Sequence, residues 1–144
     1  MEDFNTVVYD VAFSPSGDQI AVSCQSGVVY LVDVETKVAE PLRGHVDQVT
    51  SVAFTPDGRH LVSGSWLGRV IVRRLDDLSV VRQWSAHDGD VWSFDFAGDG
   101  VMVTSSSDNH AKAWNLDTGE LLVDFDHGVQ VRGAQVQELS LIHI

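Results

Sequence analysis

Short apolar and aromatic runs alternate along this chain with clusters of Gly, Pro, Asp, Ser and Thr, and the runs come in groups of four. The first group predicts strands at 7–13, 19–24, 28–34 and 38–42. The second predicts 48–54, 60–65, 69–75 and 80–84, and the third 90–96, 101–106, 110–116 and 121–125. Each run is valine-rich or aromatic, and each gap carries the residues that turns need. Strict in–out alternation is imperfect. Val28-Val29-Tyr30-Leu31-Val32 and Val70-Ile71-Val72 are continuous apolar stretches, as expected of strands covered on both faces. No segment keeps a helical period over three turns, so the fold class is all-β.

The groups of four are copies of one pattern. Phe13-Ser14-Pro15-Ser16-Gly17, Phe54-Thr55-Pro56-Asp57-Gly58 and Phe96-Ala97-Gly98-Asp99-Gly100 follow one another after 41 and then 42 residues. Proline presets one backbone angle and glycine tolerates positive φ, so each run closes a tight turn after an inner strand. A period near forty, carried by strands and turns, predicts a β-propeller array in which each blade buries its faces against its neighbours. Closing such a ring takes about four to eight blades. The expectation is therefore a partial propeller of three four-stranded antiparallel blades, either a piece of a longer protein or one portion of an assembled ring, with two apolar blade faces uncovered. The blades are expected at about 5–44, 45–86 and 87–127, with the start of a fourth to about 133, so that 1–133 carries the repeats. The remainder, 134–144, has no repeat pattern. Its ending, Leu139-Ser140-Leu141-Ile142-His143-Ile144, reads as translated sequencing-adapter sequence, the alternative being a short terminal strand.

Further motifs recur in register. A histidine precedes each later repeat, in Gly44-His45, Ala86-His87 and Asp126-His127, and a valine follows four residues on at Val49, Val91 and Val131. Trp114-Asn115 closes the third strand of repeat three, at the place held by Val32-Asp33 and Arg73-Arg74 in the other two. Together the Gly-His pair, the Phe-x-Pro-Asp-Gly turn, the Ser-Gly-Ser run and the Trp-Asn pair resemble the WD40 repeat family, over Val7 to about Val131. The resemblance implies a buried hydrogen-bond network at His87, Thr104, Asp108 and Trp114. Indole N–H would donate to hydroxyl, hydroxyl to imidazole, and imidazole to carboxylate. A Thr–His–Asp trio can also be imagined as nucleophile, base and orienting acid. The family places these groups inside a blade, where substrate has no access, so they are expected to fix the fold and no catalytic residue is assigned. Repeat two departs, with Leu67 and Arg73 at the Asp and Trp positions beside His45 and Ser63, and repeat one has Phe4, Val22, Ser26 and Val32, so its network is absent. Arg73-Arg74, the one adjacent basic pair, is expected to be solvated or packed along its aliphatic stems, rather than an anion site.

Composition narrows the partners. A net charge of −12 argues against direct nucleic-acid binding, which needs a basic footprint. No apolar run approaches the length of a membrane span, so no membrane partner is expected. The single cysteine, Cys24, excludes an intramolecular disulfide and falls in a predicted inner strand, where a buried inert thiol is expected. No HExxH, CxxC or phosphate-loop motif occurs, and His45, His87 and His127 are spaced onto different blades, so neither metal nor cofactor is expected. Ser14-Pro15 and Thr55-Pro56 read first as turn chemistry.

The family also implies a partner face, formed by residues just before the first strand of each repeat and by the turn between its second and third strands. Here those positions are Val7 and Tyr9 with Gln25, Gln48 and Thr50 with Trp66, and Asp90 and Trp92 with Ser107. Tyr9, Gln48, Thr50, Trp66, Asp90, Trp92 and Ser107 are the candidate contacts. Three of the nine positions are aromatic against 8% of the chain, which is the anchor chemistry of protein interfaces. Tyr9 and Trp92 can equally be read as cover for blade edges, whereas Trp66, in a turn, is harder to explain by packing. Asp90 would select a basic group. The expected function is a non-catalytic intracellular scaffold, cytoplasmic or nuclear, that binds protein or peptide partners within a larger complex. The alternative is a regulatory or substrate-recognition propeller attached to an enzyme such as a kinase or protease.

Overall fold

Twelve strands in three equal sets account for nearly all regular structure in the computed structural model, which describes residues 6–97 and 100–126. The first set is β1 (Val8–Phe13), β2 (Gln19–Cys24), β3 (Val29–Asp33) and β4 (Ala39–Leu42). The second is β5 (Val49–Phe54), β6 (His60–Ser65), β7 (Arg69–Arg74) and β8 (Val80–Ser85), and the third is β9 (Val91–Ala97), β10 (Val101–Ser106), β11 (His110–Asn115) and β12 (Leu121–Asp126). Each set forms one antiparallel sheet in sequential order. The described residues contain no helix. Expected and observed strand ends agree to within one residue. The start of a fourth repeat and the tail 134–144 lie outside the described residues, as does Phe4.

The repeat is written into the backbone as well as the strands. Residues with positive φ recur one period apart at Gly27, Gly68 and Asn109 in the β2–β3 type of turn, and at Lys37, Leu78 and Gly119 in the β3–β4 type. Glycine is obligatory at Gly68, where an added Cβ would lie 1.9 Å from the His87 carbonyl oxygen. Lys37 and Leu78 hold the same left-handed geometry with a side chain, at a cost of roughly 1 kcal/mol each. The Phe-x-Pro turns are fixed by their hydroxyls. Thr55 donates to Asp57 at 2.7 Å and accepts the His60 N–H at 3.1 Å. Ser14 donates to Asp18 at 3.0 Å and accepts from Gln19 at 3.1 Å. Both hydroxyl residues are buried, as turn chemistry requires. Pro41 sits on β4, the outermost strand of its sheet, where a missing N–H leaves no ladder bond unmade.

The sheets pack face to face through two apolar layers. Ala21, Val29, Leu31 and Leu42 of the first sheet meet Val49, Val52, Phe54 and Leu61 of the second. Val62, Val70, Val72 and Trp84 of the second meet Val91, Met102, Trp114, Phe94 and Phe96 of the third. Strands β1, β5 and β9 neighbour one another and form the inner row. The outward face of the first sheet is partly open: Val11 and Phe13 are 59% and 67% exposed, against 4% and 7% for Val52 and Phe54 one period on. The two end faces are not bare throughout, because Val22, Cys24 and Val32 at one end and Val103, Ala111 and Ala113 at the other are buried. Cys24 is fully buried, and burial pushes its thiol above the ordinary range, away from the reactive thiolate.

Candidate functional site

In an antiparallel meander all turns of one kind fall on one edge. The β2–β3 turns and the residues leading into β1, β5 and β9 therefore share one face, here termed upper, and the β1–β2 and β3–β4 turns share the lower. One backbone bond per sheet locks the upper face: Gln25 N–H to Val7 O at 2.8 Å, Trp66 N–H to Gln48 O at 2.8 Å, and Ser107 N–H to Asp90 O at 3.3 Å. The three sets of positions singled out from the sequence are thus brought together three times over, with the same geometry.

Their side chains divide into bound and free. Tyr9 Oη donates to Gln48 Oε1 at 2.8 Å, linking the first two sheets across the face. The Thr50 hydroxyl turns inward to Val91 O at 2.6 Å and belongs to the junction of the second and third sheets. Asp90 accepts Trp92 Nε1–H at 2.8 Å and the Ser107 hydroxyl, so its carboxylate orients neighbours rather than standing open to a basic group. The exposed acidic side chain beside it is Asp88. Trp66 is 54% exposed at the tip of its turn, and Leu67 next to it is exposed as well. Tyr9 is also exposed, whereas Trp92 is partly buried.

Inside the third sheet four polar groups form one chain. Trp114 Nε1–H donates to Thr104 Oγ1 at 3.0 Å, Thr104 Oγ1 lies 2.7 Å from His87 Nε2, and His87 Nδ1 lies 2.9 Å from Asp108 Oδ2. These contacts are all satisfied when the hydroxyl donates to Nε2 and the ring carries its proton on Nδ1. Burial holds the His87 imidazole below its usual pKa, despite the nearby Asp108 charge, which keeps it in that neutral form. Burial alone would raise Asp108, but the N–H groups of Asp88 and His110 and the His87 ring outweigh it, so Asp108 lies below the ordinary range. Lys112 Nζ stands 5.9 Å above the Trp114 ring and donates to Ala86 O at 2.7 Å. Thr104 and His87 are sealed from solvent, so no substrate reaches the hydroxyl.

The second sheet keeps half of this arrangement. His45 Nε2 and Ser63 Oγ lie 2.8 Å apart, but His45 Nδ1 has no partner among the described residues, because Leu67 occupies the place of the aspartate. Burial pushes His45 down to about 4, with the charges of Arg73 and Arg69 adding to it against the pull of Asp47. Arg73 fills the tryptophan position. It is 6% exposed, so of the two readings of the Arg73-Arg74 pair the packed one applies to it, while Arg74 remains in solvent near Asp77 at 3.8 Å. The Arg73 guanidinium donates to Arg43 O, and a Cβ on Gly44 would come within 2.7 Å of it, which accounts for the glycine of the Gly-His pair. The residue after the tryptophan position caps a turn: Asp33 accepts from Glu35 and Thr36, and Asn115 from Asp117 and Thr118. Arg74 cannot accept, and Asp77 takes over through Ser79.

Two features were missed from the sequence, one of them although its signal was present. The Gly27, Gly68 and Asn109 series lies one period apart and marks the tips of the upper turns. The Tyr9–Gln48 bridge had no such signal, because it joins unlike residues of different repeats.

Comparison with known proteins places this geometry. The family model for "WD domain, G-beta repeat" matches residues 3–33, 36–73 and 78–115. The U3 small nucleolar RNA-associated protein 4 homolog of Mus musculus is 27% identical over 98% of this chain and 22% of its own length. The intraflagellar transport protein 122 homolog of Danio rerio is 38% identical over 40% of this chain and 5% of its own length. Among solved structures, the RRP9 WD40 repeats superpose with a TM-score of 0.82 at 17% identity, covering 90% of this chain and 41% of theirs, a likeness that shows the fold. The chain thus spans about a fifth or less of the curated relatives it matches.

Proposed function

This chain belongs to the WD40 family of G-beta repeats, and from that premise we propose that it is a non-catalytic propeller segment that holds protein or peptide partners on its upper face. The observation that carries the reading is Trp66, a large aromatic left 54% exposed at the tip of a turn whose backbone is locked to Gln48. A rigid aromatic offers much contact area with little conformational entropy to lose, which is the chemistry of an interface anchor. Around it stand Tyr9 with Gln48, then Asp90 with Trp92 and Ser107, whose mutual hydrogen bonds preorganise the rim. Thr50 supports the face from beneath.

The network of His87, Thr104, Asp108 and Trp114 serves the fold in this reading. Its hydroxyl is buried and already shared between an indole and an imidazole, so it has no lone reactive role. Relatives are named as an RNA-associated protein, an intraflagellar transport protein and a nuclear protein, and a place inside the cell, cytoplasmic or nuclear, fits those names. The net charge of −12 favours protein over RNA as the direct partner. Purification of the full-length protein with its partners, for wild type and Trp66→Ala, tests the proposal. At least one partner is expected to fall tenfold or more at equal protein yield. An unchanged partner set removes Trp66 from the site.

A further inference from the structure

The acidic character of the chain is unevenly spread. Residues 45–86 hold Arg59, Arg69, Arg73, Arg74 and Arg82 against Asp47, Asp57, Asp76 and Asp77, a balance of +1, so the remainder of a chain at −12 stands at −13. On the lower face of the second sheet, Arg59, His60 and Arg74 line a cleft of about 650 Å³ with Gly58, Leu75 and Asp76. The Asp57 carboxylate next to it is held by the Thr55 hydroxyl and the Arg59 backbone N–H, and it leaves the Arg59 guanidinium without a hydrogen bond or ion pair among the described residues. The Arg74 pair to Asp77 is long and exposed, and His60 Nδ1 is shielded without a hydrogen-bond partner there. Two exposed arginines thus line one cleft, Arg59 without a hydrogen bond or ion pair among the described residues and Arg74 in the long pair to Asp77, with the Asp57 carboxylate acting on Arg59 and His60 through its charge.

A second cleft, of about 380 Å³, adjoins it, sharing Leu75 and Asp76. This one reaches onto the first sheet and is bordered by Asp33 and Glu40, with Val38 and Leu78 as apolar wall. The pair forms a groove that carries its guanidinium groups, Arg59 and Arg74, at one end, beside Asp57, Asp76 and Asp77, and only carboxylates, Asp33 and Glu40, at the other. A long polyanion laid along it would meet Asp76, Asp33 and Glu40. A chain with one anionic side chain and one basic side chain a few residues away would find a complement for each, with the aliphatic stem of a lysine along Val38 and Leu78.

We propose that this lower groove is a second docking site, separate from the upper face, for a peptide segment carrying one phosphorylated or carboxylate side chain close to a lysine or arginine. The anion lies between Arg59 and Arg74, and the basic group lies toward Glu40.

The test is fluorescence anisotropy of the full chain with labelled peptides of about ten Gly, Ser and Leu residues. Each carries one phosphoserine, or one glutamate in its place, about three residues from a lysine, a spacing of roughly 10 Å in extended chain. The mixed-charge peptide is expected to bind. Arg59→Gln together with Arg74→Gln, both exposed positions, should weaken it tenfold or more. Changing the peptide lysine to alanine should also weaken it, and Trp66→Ala on the opposite face should leave it unchanged. Tighter binding of the phosphoserine form assigns a phosphorylated partner, and equal binding of both forms assigns a carboxylate. The proposal is overturned if neither mixed-charge peptide binds, or if the double arginine variant binds as wild type. It is equally overturned if a uniformly acidic peptide or a single-stranded RNA of similar length binds as tightly.

Discussion

Replacing Thr104 by valine keeps the shape of the side chain and removes only its hydroxyl. In the third sheet that oxygen accepts the Trp114 indole N–H at 3.0 Å and sits 2.7 Å from His87 Nε2. Both partners are buried, and Thr104 is the one hydrogen-bond partner of either atom among the described residues. An unsatisfied buried polar group costs about 1–3 kcal/mol, so two orphaned at once should cost roughly 2–5 kcal/mol. In equilibrium urea unfolding of the full chain, that loss corresponds to a midpoint lowered by roughly 1–2 M at an m-value typical of small proteins. The first sheet supplies a natural control, because Val22 stands at the equivalent position with Val32 opposite, and nothing there needs a hydroxyl. A second variant separates polar loss from packing loss. Once Trp114→Phe has removed the indole N–H, Thr104→Val leaves only His87 unpaired, so the double variant should be about 1–2 kcal/mol more stable than the summed single effects imply. A Thr104→Val protein within about 0.5 kcal/mol of wild type would refute the network as a stabilising element.

Acid should destabilise the protein through its buried histidines. His45 is pushed from 6.5 to about 4 in the folded state, so below 6.5 the unfolded chain binds more protons and stability falls until about 4. That shift corresponds to roughly 3 kcal/mol, and His87 is displaced in the same direction. His45→Gln should flatten the stability profile over this window, and an unchanged slope would refute the assignment. Phe54→Ala should cost about 3–5 kcal/mol, as for a buried core aromatic, whereas Phe13→Ala, at the same place in the repeat but 67% exposed, should cost less than about 1 kcal/mol in the isolated chain. Equal losses would show that a further element covers Phe13. Lys37→Gly, which installs the residue found two blades on at Gly119, should stabilise by about 0.5–1 kcal/mol in thermal unfolding, because it relieves a left-handed lysine.

The strands and their order were legible because each repeat spells its turns with local chemistry. The Thr55 and Ser14 hydroxyls, the following glycines and the Asp33 and Asn115 caps all act within five residues, a range at which sequence alone carries the instruction. The network in the third sheet was legible because four distinctive residues sit in register. The second sheet was read less well. Sequence left Arg73 and Arg74 alike as solvated or stem-packed, and only packing shows that the Arg73 guanidinium lies over Gly44 and reaches Arg43 O, taking the room of a tryptophan. The inward turn of Thr50 and the closure of Asp90 onto Trp92 and Ser107 were illegible for the same reason. Both depend on which atoms of a neighbouring strand or sheet come within reach. Fractional exposure of Trp66, by contrast, follows from its being at a turn tip.

The central claim, that partners dock on the upper face, is tested most directly by photo-crosslinking in the full-length protein. A photoreactive phenylalanine analogue would replace Trp66, and in a separate protein Gln83, an exposed residue of β8 away from that face. The account predicts discrete partner adducts from position 66 and none from position 83. Adducts of equal yield from both positions, or from 83 alone, would contradict it.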